Sequence, residues 1–202
     1  MEPKLTIEDR NRIKESIRQK YAEVSVNPEG FFRYPTGRAG LEALSYPPEI
    51  IQALPKAVAS SYCGVGNPFT LGLIHKGEKI LDIGCGGGAD TLVAAMMVGP
   101  KGKLVGIDLV PEMVERAIEN LRITPLSNVS FEEASAEDLP FPDANFDVVI
   151  SNGVFNLIPN KMKALGEVLR VLKPLGRFMI ADQVLTVEPP GDTRSRVESW
   201  FR

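Results

Sequence analysis

From residue 79 onward the chain alternates between short apolar runs and longer stretches in which apolar residues recur every three or four positions. The short runs, at 79–83, 103–108, 128–132, 146–151 and 176–182, predict strands. The stretches between them predict helices over 89–98, 111–122 and 160–172. In the second, Met113, Val114, Ala117, Ile118 and Leu121 keep a helical period. Gly99-Pro100 ends the first helix, and Pro111 opens the second. Strand–helix alternation of this kind implies an α/β fold, a doubly wound parallel sheet with right-handed crossovers and helices on both faces.

Residues 1–70 have a different texture and are expected to form a helical and loop lid, with the main domain over 71–202. "TIEDRNRIKESIRQKY" reads as a helix: Thr6 and Asp9 make a capping-box pattern, and Ile7, Ile13 and Ile17 fall near one face. The following "NPEGFFRYPTGRAGLEALSYPPEI", rich in Pro, Gly and aromatics, predicts mostly loop, with a short helix from Pro48 through Leu54. The aromatics Phe31, Phe32, Tyr34 and Tyr62 are expected to anchor this lid to the core. After the last predicted strand, "PPGDTRSRVESWFR" predicts at most a short helix.

The first strand runs into "DIGCGGGAD", a turn in which Gly84, Gly86 and Gly88 let the backbone approach a ligand closely. Alone this is a weak signal, since Gly84, Gly86 and Ala89 also satisfy the dinucleotide pattern G-x-G-x-x-A. Asp108, at the end of the second strand, is where a carboxylate would take ribose hydroxyls, which both NAD and S-adenosylmethionine (SAM) carry. Asp82 separates the two. A carboxylate just before the glycines would repel a pyrophosphate seated at the helix N-terminus and would suit an ammonium group. Glu137 is placed to accept an adenine amino group, and Ser151-Asn152 ends the fourth strand at the edge where such sheets bind ligands.

Composition narrows the setting. Of 202 residues, 44% are apolar and 24% charged, with a formal net charge of −3, so broad attraction to nucleic acid or anionic membrane is not expected. No apolar run approaches the ~20 residues of a membrane span, and the acidic start does not read as a signal peptide. Two cysteines and one histidine argue against a disulfide framework or a metal centre. A cytoplasmic location is the expectation. His75 reads as a solvated loop residue, Cys63 as a buried apolar cysteine, and Cys85 as a small loop residue beside the ligand. Asn156 could cap the helix that follows it.

With those segments in place, the chain resembles the class I SAM-dependent methyltransferases. "LDIGCGGG" matches their first motif, "VGIDLVPEM" the second-strand motif and "AEDLPFPDANFDVV" the adenine loop. It is similar in style to the ubiquinone/menaquinone-biosynthesis methyltransferases, and closer to arsenite methyltransferases in "YCGVGNPF", "VGPKGKLVGIDLVPEMVERA", "ISNGVFNLIPNK" and "VLRVLKPLGR". The resemblance implies a Rossmann-like fold, SAM as cofactor, and cofactor-binding roles for Asp82, Gly84, Cys85, Gly86, Asp108, Leu109, Ala136, Glu137 and Asn152. It also implies two further strands after a final helix. Without them either the chain is truncated or naturally short, or a homodimer or another partner covers the open sheet edge.

The departures are specific. The arsenic-binding thiols of arsenite methyltransferases fall at Val65 and Gly153, which argues against arsenite, since trivalent arsenic needs converging soft thiolates. Val110 stands where a capping Thr is usual, and Leu175 where a turn usually has Gly. The expectation is methyl transfer to a small-molecule acceptor. A SAM-binding module without turnover and an NAD-dependent oxidoreductase stay open. No residue is a convincing catalytic base; Tyr34, Tyr62 and Glu133 are the nearest candidates.

Overall fold

Among residues 5–184, which the computed structural model describes, the apolar runs form β1 (Lys79–Ile83), β2 (Lys103–Asp108), β3 (Val129–Glu133), β4 (Phe146–Asn152) and β5 (Leu172–Ala181). The strands pair in the order β3-β2-β1-β4-β5, and every neighbouring pair is parallel. Three helices join them: α5 (Ala89–Val98), α6 (Pro111–Arg122) and α7 (Lys161–Val171). Before the sheet come α1 (Ile7–Val26), α2 (Gly37–Ala43), α3 (Pro48–Ala53) and α4 (Lys56–Ser60). The "PPGDTRSRVESWFR" segment lies outside the described residues.

Side chains of the central strands alternate between two covered faces. Ile80, Val148 and Ile150 pack with Ala94, Ala95 and Val98 of α5. Leu81, Ile83 and Val149 pack with Ala164, Val168 and Val171 of α7. This two-sided burial explains why successive positions of β1 and β4, Ile80-Leu81 and Val148-Val149-Ile150, are apolar rather than alternating with polar ones. The chain leaves β1 outward to β2 and β3, then crosses back to β4 on the other side of β1. The strand order therefore reverses between β1 and β4, and a crevice opens beyond their carboxyl ends.

The capping box of α1 is present, with Asp9 N–H donating to Thr6 Oγ1 at 3.1 Å and Thr6 N–H to Asp9 Oδ2 at 2.9 Å. Ile13 and Ile17 are buried, but Ile7 is 80% exposed and does not share their face. The loop expected before Pro48 contains α2, and a second short helix, α4, follows α3. Helices of this length are unstable alone. They form here because Leu41, Ile51, Leu54 and Val58 bury against Leu92 and Val93 of α5. A periodicity search has too few turns to find them.

Two unusual residues have different consequences. Val110 gives α6 no side-chain cap but packs against Val24 and Met113, tying α1 to α6. The helix loses a cap and gains a contact. Leu175 has φ +65°, in an irregular stretch of β5 where pairing with β4 passes from Phe146–Leu172 to Val148–Arg177, and its side chain is fully exposed. A branched residue in the left-handed region is strained with nothing to offset it. Leu175→Gly is expected to raise stability by about 0.5–1 kcal/mol, read as a higher urea midpoint at unchanged slope. A lower midpoint would show the strain to be absent.

Candidate functional site

The turn after β1 is held by the neighbouring strand. Gly84 N–H and Cys85 N–H both donate to Ile107 O, at 2.8 and 2.9 Å. Gly84 and Gly86 have φ of +70° and +50°. A Cβ on Gly84 would lie 2.2 Å from Val154, so no side chain fits there. At Gly86 the nearest atom to such a Cβ is 4.0 Å away. The first glycine is demanded by packing, and the second leaves room above the turn.

That room is a cleft with about 820 Å³ of empty space counted to its open mouth, within the range of cofactor pockets. Gly84, Gly86, Asp108, Leu109, Ala136, Glu137 and Asn152 all line it. A smaller recess shares Cys63, Gly84, Gly86 and Asn152 with it and adds Asp82, Cys85 and Asp90. The nine residues singled out in the sequence thus converge on two connected spaces at the carboxyl edge of the sheet. Cys63 is half-buried rather than buried and stands where the two spaces meet.

Three carboxylates surround the turn, Asp82 and Asp90 buried and Asp108 half-buried. Asp82 accepts from Thr91 Oγ1 at 2.6 Å. Asp90, in the first turn of α5, accepts from Tyr46 Oη at 2.6 Å and from Asn152 Nδ2 at 2.9 Å. Asp108 accepts from Gly86 N–H at 2.9 Å and from Val110 N–H at 3.0 Å. Among the described residues none of the three is in an ion pair. Burial, with the charge of Asp90 adding to it, pushes Asp82 up to about 8. Burial raises Asp90 to about 6 against the pull of its two hydrogen bonds. It raises Asp108 to about 6 against its backbone donors. A cation entering the recess would favour the charged forms of Asp82 and Asp90, which line it.

The far end of the cleft is built differently. Glu137 accepts from Lys14 Nζ at 2.6 Å and from Asn160 N–H at 2.9 Å, so both of its oxygens already have partners. Lys14, Ile17 and Tyr21 of α1 wall the cleft on this side. The loop carrying Ala136 and Glu137 is fixed from outside. Arg170 donates to Leu139 O at 2.9 Å and Phe141 O at 2.6 Å, and Leu139 N–H donates to Glu167 at 2.8 Å.

Several expectations meet a different geometry. Asn152 lines the cleft, yet its amide is engaged by the 62–66 loop and Asp90. Glu133 pairs with Arg18 at 3.4 Å, both half-exposed, and does not line the cleft. Asn160, not Asn156, caps α7. His75 is an exposed loop residue, as expected. Tyr34 donates to Cys63 O at 3.1 Å, and Tyr62 is buried with Tyr46 in an edge-to-face pair, their ring centroids 5.5 Å apart. Burial holds both Tyr34 and Tyr62 hydroxyls well above their ordinary pKa, which makes them poor bases. The residues missed in the sequence are Asp90, Tyr46 and Lys14. Lys14, Ile17 and Tyr21 do keep helical spacing, and an acid two residues after Gly88 was a signal.

Residues 74–202 match a methyltransferase domain family. The chain belongs to the SAM-dependent methyltransferases. It is 33% identical to an arsenite methyltransferase of Halobacterium salinarum, over 95% of this chain and 52% of that one. It is 40% identical to a ubiquinone/menaquinone biosynthesis C-methyltransferase of Pasteurella multocida, over 54% and 41%. Among solved structures, an arsenic(III) SAM methyltransferase of Chlamydomonas reinhardtii matches at TM-score 0.56 and 34% identity, covering 74% of this chain and 50% of that one. A SAM-dependent methyltransferase of Aquifex aeolicus matches at TM-score 0.54 and 26% identity, covering 77% and 79%. The chain spans about half the length of the curated relatives it matches. No helix of the described residues is long and apolar enough to cross a membrane.

The buried acids predict an unusual pH response. Their folded pKa values are raised, so between the unfolded value near 3.8 and about 8 the folded state holds more protons than the unfolded one. Stability of the cofactor-free methyltransferase should therefore fall as pH rises through that window. Thermal melts from pH 5 to 8.5 should show a declining midpoint, flattened in Asp82→Asn. A midpoint that climbs with pH would contradict the raised values.

Proposed function

We propose that the chain binds SAM in this cleft and transfers its methyl group to a small-molecule acceptor. The observation that carries the proposal is the group of three carboxylates around a glycine turn, Asp82 and Asp90 buried and Asp108 half-buried. They are suited to a cationic cofactor and unsuited to a pyrophosphate. The N-terminus of α5, where a dinucleotide would place its phosphates, has Asp90 in its first turn.

The residues fit SAM from end to end. Asp82 and Asp90 would face the ammonium of the methionine moiety, and Asp108 with Leu109 the ribose. Ala136 and Glu137 would face the adenine; a carboxylate has about four lone-pair sites, so Glu137 can still accept an amino group beside its two protein donors. Gly84, Cys85 and Gly86 form the floor. When bound, SAM supplies a methyl group on a cationic sulfur that leaves as a neutral thioether. The protein's part is then alignment and exclusion of water, which α1 and the 62–66 loop supply as walls.

The relatives named for arsenite do not carry arsenite to this chain. A Cβ on Gly153 would lie 3.2 Å from Val65, so Val65 packs directly against Gly153 and the contact is apolar. The two cysteines are Cys63 and Cys85. Burial pushes the Cys63 thiol up to about 12 and Cys85 well above its ordinary value, so neither offers a ready thiolate.

Calorimetric titration tests the proposal. SAM should bind with micromolar affinity and NAD should not, and Asp82→Asn should weaken SAM at least tenfold. Unchanged affinity would remove Asp82 from the site, and NAD binding in place of SAM would overturn the proposal. Turnover to S-adenosylhomocysteine with some acceptor separates an enzyme from a module that only binds.

A further inference from the structure

One polar network bordering the site is spent on the protein itself. Asn152, at the end of β4, turns its side-chain amide toward the loop that links α4 to the sheet. Its Oδ1 accepts from Val65 N–H at 2.9 Å and from Gly66 N–H at 3.0 Å. Its Nδ2 donates to Gly66 O at 2.7 Å and Asp90 Oδ2 at 2.9 Å. Tyr62 Oη also donates to Gly66 O, at 2.8 Å, and Tyr46 Oη donates to the other oxygen of Asp90. Two donors on one side and two acceptors on the other allow the amide a single orientation. Asp90 is what makes that orientation strict, because a carboxylate only accepts.

The loop rests on this network without clearance. A Cβ on Gly64 would lie 2.3 Å from Asn152 Nδ2 and 2.5 Å from Tyr62 Oη, and one on Gly66 would lie 2.6 Å from Ala181 Cβ. The residue so placed is Cys63, which borders both the cleft and the recess. We infer that Asn152 is a positioning residue, with Asp90 and Tyr46 behind it, and that together they clamp the 62–66 loop as the wall between the two halves of the cofactor site. The resemblance to relatives implies that Asn152 contacts the cofactor; the geometry assigns it to the loop instead.

This inference rests on the SAM proposal for its consequence but not for its test. Cys63 reports the loop directly. Alkylation of Cys63 by iodoacetamide, followed by peptide mass spectrometry in cofactor-free protein, requires no ligand to bind. Asn152→Asp replaces the donor facing Asp90 and Gly66 O with a repelling carboxylate. It should speed Cys63 alkylation at least tenfold and weaken SAM by a similar factor. Adding Asp90→Asn restores a donor between positions 90 and 152 at unchanged total charge, and should recover most of the protection against alkylation, while SAM affinity stays low because Asp90 also faces the ammonium. A merely structural loss would show no such rescue.

Asn152→Ala guards against failure of the charged variant to fold, and should also speed alkylation. Alkylation unchanged within twofold in both Asn152 variants would overturn the clamp. So would lost SAM affinity with unaltered alkylation, since that marks direct contact with the cofactor. If SAM fails to bind the unsubstituted protein, the alkylation arms still decide the clamp by themselves.

Discussion

Everything at the site depends on how β1 ends. It is the central strand, paired with β2 and β4, so its chain must leave the sheet between two neighbours and above a packed core. Ile107 O takes the first two N–H groups beyond the strand, and Val154 closes the space where a side chain at position 84 would stand. The turn can therefore only be made by glycine in the left-handed region. Once it is made, the ends of β2 and β4 are brought to either side of it, and with them Asp108 and Asn152.

The second constraint is charge. Burying a carboxylate without a cation is costly, and this site buries two with a third half-buried beside them. The protein tolerates them by hydrogen bonds and by partial protonation, which leaves the cofactor-free state under electrostatic strain. A site prepared in this way favours a cation over a neutral or anionic ligand before any shape is considered. At the far end of the cleft the arrangement is the reverse: Lys14 already satisfies Glu137, and that ion pair ties α1 to the wall of the cleft.

The central strands and the long helices are legible because burial on two faces places apolar residues side by side in β1 and β4, and because glycine and proline mark the helix ends. Asp82, Asp108 and the glycines were legible because strand ends and tight turns confine which residue types can occupy them. The short helices α2 and α4 were not, since they form by packing Leu41 and Val58 under α5 rather than by any local pattern. Asp90 and Tyr46 were hidden for a related reason. Their partnership joins residues 44 positions apart, and nothing near either residue announces the other. Asn152 does line the cleft, but which way its amide faces is something that spacing along a chain does not encode.

The central claim is that the cleft is an acidic receptor for a cationic cofactor. Titration with SAM at pH 7 in two buffers of different ionisation enthalpy tests it directly. Asp82, raised to about 8 in the cofactor-free protein, should lose its proton as the cation enters, so the heats should differ between buffers by the enthalpy of a released proton. Binding with the same heat in both buffers, or no binding at all, would contradict the account.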